Sequence, residues 1–228
     1  MRRNGGILIV PAAPALVRLQ ADPVYRDAIA HADLAIPDSG LMVLLWRFFR
    51  GRSVHRISGL AYLKVLIADP SFDAAAVFVL PNESAREKVL QWERTTGHAI
   101  TAEDCYVAPI YEESVQDRQL LALIEDRHPA HVVVAIGNGP QEKLAYFLRE
   151  SLSYRPAIHC IGAALGFVTG EQVAIPNWAD RFYFGWLFRL FSQPGIFIPR
   201  LARASLLPLL ILKYGEHLPP LRHDHSRT

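Results

Sequence analysis

The stretch His131-Val132-Val133-Val134-Ala135-Ile136-Gly137-Asn138-Gly139-Pro140-Gln141 decides the fold of this chain. It begins with an apolar run that is rich in β-branched residues and has no polar alternation. Such a run is typical of a strand buried on both faces of a parallel sheet. Two glycines then permit a tight turn, and Pro140 favours the first turn of a helix. The stretch therefore predicts a central strand that passes through a short loop into a helix.

Comparable units recur along the chain. Hydrophobic periodicity predicts strands at 7–10, 34–36, 75–80, 105–107, 131–136 and 157–161, and helices at 23–32, 39–50, 59–68, 83–95, 115–127 and 141–152. The stretch 32–36 is expected to be a short buried strand. Strands that alternate with helices in this way indicate a parallel sheet with helices on both faces. The expected fold class is α/β, with a Rossmann-like, mostly parallel sheet and a basic, aromatic helical segment after it.

The composition narrows the class of protein. The 228 residues carry a formal net charge of +2, which argues against a nucleic-acid-binding protein driven by bulk charge, and 51% of them are hydrophobic, enough for a sizeable core. The two cysteines, Cys105 and Cys160, form no CxxC pair, so we expect them to fill apolar positions of strands in a reducing compartment. The first residues lead directly into a strand, so no signal peptide is expected, and no stretch approaches the roughly 20 apolar residues of a membrane-spanning helix.

The residues that could bind a metal ion are scattered. The nine histidines show no metal-ligand spacing with cysteine or acidic residues, and no two aspartates form a DxD pair. The Walker A, HExxH and GxSxG patterns are also absent. The sequence therefore predicts metal-independent chemistry and no cofactor.

The character of the sequence changes after residue 176. Five basic residues, seven aromatic residues and no acidic residue lie between Arg181 and Lys213, and prolines at 194, 199 and 208 are expected to divide the segment into short pieces. This composition is typical of a surface on anionic lipid, although a helix pair packed on the sheet or on another subunit is the alternative. The predicted organisation is an α/β domain at 1–176, a membrane-associating helical segment at 177–217 and a flexible tail at 218–228.

A carboxylate lies at a second informative turn, Ile36-Pro37-Asp38-Ser39-Gly40, which precedes an apolar segment long enough for a helix. Asp38 is thereby expected at the carboxyl end of a strand, where open α/β sheets place their ligands. Two uses remain open for it. It could cap the helix, which is the more common use, or it could act as a general base, because carboxylates are ionised at neutral pH.

The loop Gly137-Asn138-Gly139 and the side chains of Gln141, Glu142 and Lys143 form a third candidate. The glycines would let a ligand approach the backbone, free N–H groups at the helix start would favour an anion such as a diphosphate, and the polar side chains could bind sugar, base or phosphate. The alternative is helix capping by Asn138 or Gly139, with Glu142 in the first turn. The GxGxxG fingerprint is not completed, because position 142 is Glu.

Taken together, these segments resemble the WecG/TagA/CpsF glycosyltransferase family. The resemblance runs in order over most of the chain and rests on the segments 32–38, 56–59, 137–143, 161–170, 176–178 and 186–190. It implies metal-independent transfer of an N-acetylhexosamine, or of its uronic acid, from a UDP-sugar to a polyprenyl-diphosphate-linked acceptor in cell-surface or exopolysaccharide biosynthesis. It also implies peripheral association with the anionic inner face of the bacterial cell membrane. A homo-oligomer could form, and no nucleic-acid partner is expected.

The resemblance assigns roles to particular residues. Asp38 is expected to take the proton from the acceptor hydroxyl as that oxygen attacks the anomeric carbon, and Arg56 and Ser58 to bind the acceptor. Two arginines in the basic segment and the helix start at Gln141 are expected to stabilise the departing UDP. The residues expected to bind the nucleotide sugar are Gly137, Asn138, Gln141, Glu142, Lys143, Gly162, Arg200 and Arg203.

The sequence also departs from the family pattern. Val10-Pro11-Ala12-Ala13-Pro14 stands where the family usually carries a threonine and an asparagine, Ala61 and Gly166 each stand where it has an aspartate, and Pro81-Asn82 replaces paired glycines. These departures leave open a non-catalytic relative that binds a nucleotide sugar or acts as a scaffold in the same pathway. A nucleotide-dependent oxidoreductase is a third alternative, which the incomplete glycine fingerprint disfavours.

Overall fold

The computed structural model describes residues 4–69, 72, 76–97, 100–112, 115–170, 191 and 194–222. The chain forms two compact units. The sheet unit comprises Met1–Val10, His31–Ile36 and Ile57–Ala174, and the helical unit comprises Pro11–Ala30, Pro37–Arg56 and Ile175–Thr228. The helical unit therefore combines the C-terminal segment with two earlier parts of the chain.

The sheet unit is built on a six-stranded sheet in which every pair of neighbouring strands is parallel. Its spatial order is β2-β1-β6-β5-β3-β4. Helices flank the sheet and the architecture is Rossmann-like, which confirms the fold class predicted from the sequence. The strands are β1 (Gly6–Ile9), β2 (Leu34–Ala35), β3 (Ala76–Leu80), β4 (Cys105–Val107), β5 (His131–Val134) and β6 (Ala157–Cys160).

The valine run forms β5, which pairs with β3 on one side and with β6 on the other. Val132, Val133 and Val134 are all fully buried. Because successive side chains of a strand point to opposite faces, burial of all three means that both faces of the sheet are covered here. The strand ends at Val134, two residues earlier than predicted, although the N–H of Ala135 still donates to the carbonyl of Val79.

A strand lies where 34–36 predicted one, but the expected burial and the wider extent of 32–36 are wrong. The observed strand, β2, has two residues and lies at the edge of the sheet, where Leu34 is 47% exposed. An edge strand has a neighbour on one side only, and that neighbour is β1. The core contact comes instead from Ile36, which follows the strand and packs against Leu8 and Val10.

Short polar side chains begin three helices of the sheet unit. The Ser58 hydroxyl, an Asn82 oxygen and an Asp117 oxygen each accept a hydrogen bond from the backbone N–H three residues later, at 2.8 to 3.0 Å. Because Asp117 caps its helix, that helix begins at Arg118 and not at the predicted residue 115. Among the described residues the α-helices are α1 (Ala13–Leu16), α2 (Pro23–Ala30), α3 (Gly40–Arg50), α4 (Gly59–Ile67), α5 (Glu83–Thr96), α6 (Arg118–Arg127), α7 (Pro140–Ser151), α8 (Ala164–Val168), α9 (Pro194–Ala204) and α10 (Leu207–Tyr214).

The helical unit has a small core of its own. Ala13 of α1, Ala204 of α9, and Leu207 and Ile211 of α10 are buried together, and apolar side chains of α3 pack against them. Helix α9 runs through Pro199, so the prediction that this proline interrupts the segment is wrong. Pro199 lies in the second turn of α9, where its missing N–H removes a single helical hydrogen bond.

The C-terminal residues that the structure describes are attached to the helical unit. Pro219 and Arg222, which were expected in a flexible tail, are hydrogen-bonded: the Arg26 side chain donates to the carbonyl of Pro219, and the N–H of Arg222 donates to the carbonyl of Gln20. Residues 177–190 of the predicted membrane-associating segment lie outside the described residues. Across the described ranges, no helix has both the length and the apolar character that crossing a bilayer requires.

Candidate functional site

Loops after β1, β5 and β6 are joined at the carboxyl edge of the sheet. Asn138, in the loop after β5, donates from Nδ2 to the carbonyl of Val10 at 3.2 Å. The N–H of Gly162, in the loop after β6, donates to Oε1 of Gln141 at 2.9 Å. Side chains in and next to the glycine loop therefore reach the loops that follow β1 and β6. This edge is where open α/β sheets bind ligands.

The carboxylate of Glu142 lies at the centre of this arrangement. Its Oε1 accepts from Asn138 Nδ2 at 3.2 Å and from Gln141 Nε2 at 2.9 Å, and its Oε2 accepts from the N–H of Gly139 at 2.6 Å. Glu142 is 1% exposed, and burial raises the pKa of its carboxyl although the hydrogen bonds oppose that shift. A buried carboxylate is tolerated when donors satisfy it, and three converge here.

The amino end of α7 is closed by these contacts. Gly139 is its N-cap residue and its N–H is bonded to Glu142, Pro140 has no N–H, and the N–H of Gln141 donates to the carbonyl of Gly137 at 3.3 Å. The expectation that free N–H groups here would favour an anion is therefore wrong. The capping alternative is the one observed, with Gly139 at the cap and Glu142 in the first turn.

The other predicted donor-binding residues of the sheet unit differ in accessibility. Gly137 faces open space, since a Cβ at this position would meet no atom within 4 Å, and its φ of +97° favours glycine. Gly162, at φ +56°, lies against the side chains of Asn138 and Gln141. Gln141 and Lys143 are buried. The structure thus brings all six predicted residues of this unit into one region, with Gly137 and Asn138 at its accessible side.

Asp38 and Arg56 are brought together in the helical unit. Arg56 Nε donates to the carbonyl of Asp38 at 2.6 Å, and Arg56 Nη2 lies 3.4 Å from Asp38 Oδ1. The Asp38 side chain is 39% exposed and that of Arg56 is 12% exposed. The cap of α3 is Ser39, whose hydroxyl accepts from the N–H of Met42 at 3.3 Å. The Asp38 carboxylate is therefore not the N-cap of this helix. Arg56 orients that carboxylate instead.

The remaining predicted site residues have other surroundings. The Ser58 hydroxyl is the N-cap of α4, where it accepts from the N–H of Ala61. Arg203 is exposed on α9. Arg200 lies on the same helix, and its side chain is outside the described part of the structure. Acceptor binding by Ser58 and donor binding by the two arginines stay predictions.

A chain of hydrogen-bonded polar side chains inside the sheet unit was not predicted from the sequence. The Tyr62 hydroxyl is hydrogen-bonded to Nδ1 of His159 at 2.7 Å, and Nε2 of His159 is hydrogen-bonded to Nδ1 of His131 at 3.1 Å. Burial, assisted by the charge of His131, lowers the pKa of His159 to about 3. The available signal was position: both histidines fall inside predicted buried strands, where a polar ring must be hydrogen-bonded.

Both cysteines are buried, as the sequence predicted. Burial raises the pKa of the Cys105 thiol to about 11 and also raises that of Cys160, so neither thiol is favoured as a thiolate nucleophile. Within the described ranges, no group of three or more His, Cys, Asp or Glu side chains is placed to hold a metal ion.

A separate cleft of about 650 Å³ lies at the amino ends of β1 and β6, away from the glycine loop. Its two arginines are already engaged: Arg149 pairs with Glu150, and Arg155 pairs with Asp33. The positive charges in the cleft are therefore neutralised by neighbouring carboxylates, and none of the predicted site residues lines the cleft.

Comparison with protein-family models identifies one relationship. The model of the glycosyl transferase WecG/TagA/CpsF family matches residues 1–220 of the chain. A search among curated proteins found no match. The matched range includes every residue that was predicted for the site from the sequence.

Proposed function

Because this chain belongs to the WecG/TagA/CpsF glycosyltransferase family, we propose that it moves an N-acetylhexosamine, or its uronic acid, from a UDP-sugar to a polyprenyl-diphosphate-linked acceptor. Membership of the family supports the general function, that of a glycosyltransferase in cell-surface polysaccharide synthesis. The observation that carries the proposal is the match over residues 1–220. The sugar, the nucleotide and the acceptor are the proposed parts.

The donor is proposed to bind at the carboxyl edge of the sheet. The open space at Gly137 and the accessible side of Asn138 support this placement. Since hydrogen bonds within the chain engage the amino end of α7, the diphosphate must obtain its positive partners elsewhere. We propose Arg200 and Arg203 for this role, which would let the departing UDP be stabilised without a metal ion.

Asp38 is proposed as the general base. The acceptor oxygen attacks the anomeric carbon, the bond from that carbon to the UDP oxygen breaks, UDP leaves with the electron pair, and the acceptor proton passes to the Asp38 carboxylate. Its partial exposure and its orientation by Arg56 support this role. A positioned base contributes typically 10²- to 10⁴-fold to a rate.

Binding at the inner face of the cell membrane is also proposed, because the lipid-linked acceptor resides in a bilayer. Helices α9 and α10 contain three basic residues and no acidic one. Four of their large apolar residues, Ile198, Leu201, Leu209 and Leu212, are exposed, as is Leu206 between the two helices. Exposed apolar side chains beside basic ones are typical of an interfacial surface.

The competing function is a non-catalytic relative that binds a nucleotide sugar or acts as a scaffold. The observation that favours it is the loss of polar side chains at family positions: Ala13 is buried among apolar residues of the helical unit, and Ala61 lies in the first turn of α4. This alternative keeps the fold and predicts binding without turnover.

The first test is calorimetric titration of the full chain with UDP, without added metal, followed by a transfer assay. The assay uses UDP-N-acetylhexosamines and a polyprenyl-diphosphate-linked N-acetylhexosamine. We expect UDP binding that weakens in Arg200→Ala, and transfer that falls at least about 100-fold in Asp38→Ala, with Asp27→Ala on the exposed face of α2 as the matched control. UDP binding without transfer from any donor would favour the non-catalytic alternative. Unchanged transfer in Asp38→Ala would show that Asp38 is not the general base.

A further inference from the structure

The hydrogen bonds of Glu142 belong to a network that connects loops far apart in the sequence. The carboxylate bonds to Asn138, Gly139 and Gln141. Asn138 in turn bonds to the carbonyl of Val10, and Gln141 bonds to the N–H of Gly162. One side chain is therefore connected, directly or through one neighbour, to the ends of three parallel strands.

We infer that Glu142 is a positioning residue whose carboxylate holds the loops after β1, β5 and β6 in a single arrangement and closes the amino end of α7. Its consequence for donor binding rests on the proposed function, whereas the positioning itself does not. Glu142 is 1% exposed and Gln141 is fully buried, so neither side chain is available to contact a ligand directly.

The chemistry of the site requires a carboxylate in particular. Three N–H donors converge on Glu142, and an ionised carboxylate offers only acceptors. An amide at this position has one N–H₂ group in place of one of the two oxygens. That group would face either the side-chain N–H₂ groups of Asn138 and Gln141 or the backbone N–H of Gly139. Donors that face donors in a buried site lose their hydrogen bonds, which is more costly than removing an exposed contact.

The orientation of Gln141 depends on the same carboxylate. Its Oε1 must accept from Gly162 while its Nε2 donates to Glu142, so a flip of the amide would break both bonds. Asn138 is fixed in a similar way, because its Nδ2 lies between two acceptors, the Val10 carbonyl and Glu142 Oε1. Its oxygen is consequently directed away from both acceptors.

The test compares Glu142→Gln with Leu148→Ala, a cavity-forming change at a fully buried position of the same helix. Amide hydrogen exchange is measured by NMR on the full chain, and UDP affinity by calorimetry at a temperature where both variants are folded. We expect exchange at Gly139 and Gly162 to accelerate at least about tenfold in Glu142→Gln, beyond any change at Val133 in β5. In Leu148→Ala the two glycines should change no more than Val133 does.

A swapped variant, Q141E/E142Q, tests the role without changing composition or charge. The new carboxylate at position 141 can accept from Gly162 and from the new amide at position 142, so exchange at Gly162 should return towards the wild-type rate. If Glu142→Gln does not fold, Gln141→Ala replaces it, because it removes the bonds to Gly162 and to Glu142 and leaves the bond between Glu142 and the N–H of Gly139 in place. That variant should expose Gly162 to exchange and leave Gly139 protected.

The outcomes separate this inference from the proposed function. Unchanged exchange at Gly139 and Gly162 in Glu142→Gln, or equal acceleration in Leu148→Ala, would overturn the positioning role. Given faster exchange at these glycines, we expect UDP affinity to fall at least about tenfold in Glu142→Gln and less than about twofold in Leu148→Ala. Absence of UDP binding by the wild type would contradict the proposed donor, while the exchange data would still decide the role of Glu142.

Discussion

Arg56 contacts Asp38 at two points, through its backbone carbonyl and through its carboxylate. The planar guanidinium can make both contacts with different nitrogens, whereas a lysine ammonium is a single point of charge. Because the Arg56 side chain is only 12% exposed, it has little freedom to reach a ligand while it keeps these contacts. We therefore propose that Arg56 acts through Asp38, and that direct binding of the acceptor is the alternative.

A double-mutant cycle distinguishes the two roles. Arg56→Lys should lower kcat/KM for transfer about tenfold or more in the wild-type background, and should have little further effect in Asp38→Ala, because residues that act as a unit are not additive. The exposed Arg52→Lys is the matched control and should leave transfer unchanged. Equal losses from Arg56→Lys in both backgrounds would show that Arg56 acts independently of Asp38.

Helix α10 is apolar on two sides. Leu207 and Ile211, four residues apart, are buried in the core of the helical unit, whereas Leu209 and Leu212 are 58% and 57% exposed. A surface helix normally carries polar residues on its outer side, so two apolar sides indicate that something covers the outer one. We propose an anionic bilayer as that cover, because α10 carries Lys213 and no acidic residue.

Introducing a charge on the outer side of α10 should weaken membrane binding. In flotation with vesicles that contain phosphatidylglycerol, Leu209→Glu should reduce the bound fraction about tenfold. It removes exposed apolar area that the bilayer would cover, and its negative charge is repelled by the anionic lipid. Val65→Glu, at an exposed apolar position of α4 in the sheet unit, is the control and should bind as the wild type does. Equal binding of wild type and Leu209→Glu would mean that another surface contacts the lipid.

The stability of the whole molecule depends on a histidine that stays neutral. His159 is buried between Tyr62 and His131, and burial lowers its pKa from the ordinary 6.5 to about 3. Between these values the unfolded chain binds a proton at this ring and the folded chain does not. The free energy of unfolding therefore decreases as the pH falls from about 6.5 towards 3.

Urea unfolding of the wild type at pH 7.5 and pH 5 should show this loss, with a contribution from His159 of about 2 kcal/mol at pH 5. His159→Gln removes the titration and should unfold more easily at pH 7.5, but with a smaller difference between the two pH values. Leu148→Ala, which destabilises the core without touching a titrating group, should keep the wild-type difference. A difference in His159→Gln as large as in the wild type would assign the pH dependence to other groups.

Much of the architecture could be predicted from the sequence because it depends on local patterns. The valine run specified a strand buried on both faces, and alternation of such runs with amphipathic segments specified a parallel α/β sheet. The Gly139–Glu142 spacing predicted a capped helix as one of two alternatives, the other being an anion site at the helix start. The order of family-like segments also sufficed to identify the family, which the match over 1–220 confirms.

Other features were decided only by tertiary structure, because they depend on which donors, acceptors and apolar surfaces meet in space. The local pattern could not show that Ser39 would cap α3 while Asp38 is hydrogen-bonded to Arg56, since residue 56 is distant in the chain. Nor could it tell that Asn138 and Gln141 would connect Glu142 to the loops after β1 and β6, or that strand 34–35 would lie at an exposed edge. Hydrophobic periodicity specifies the elements, whereas their long-range hydrogen bonds and neighbours determine which polar groups remain for chemistry.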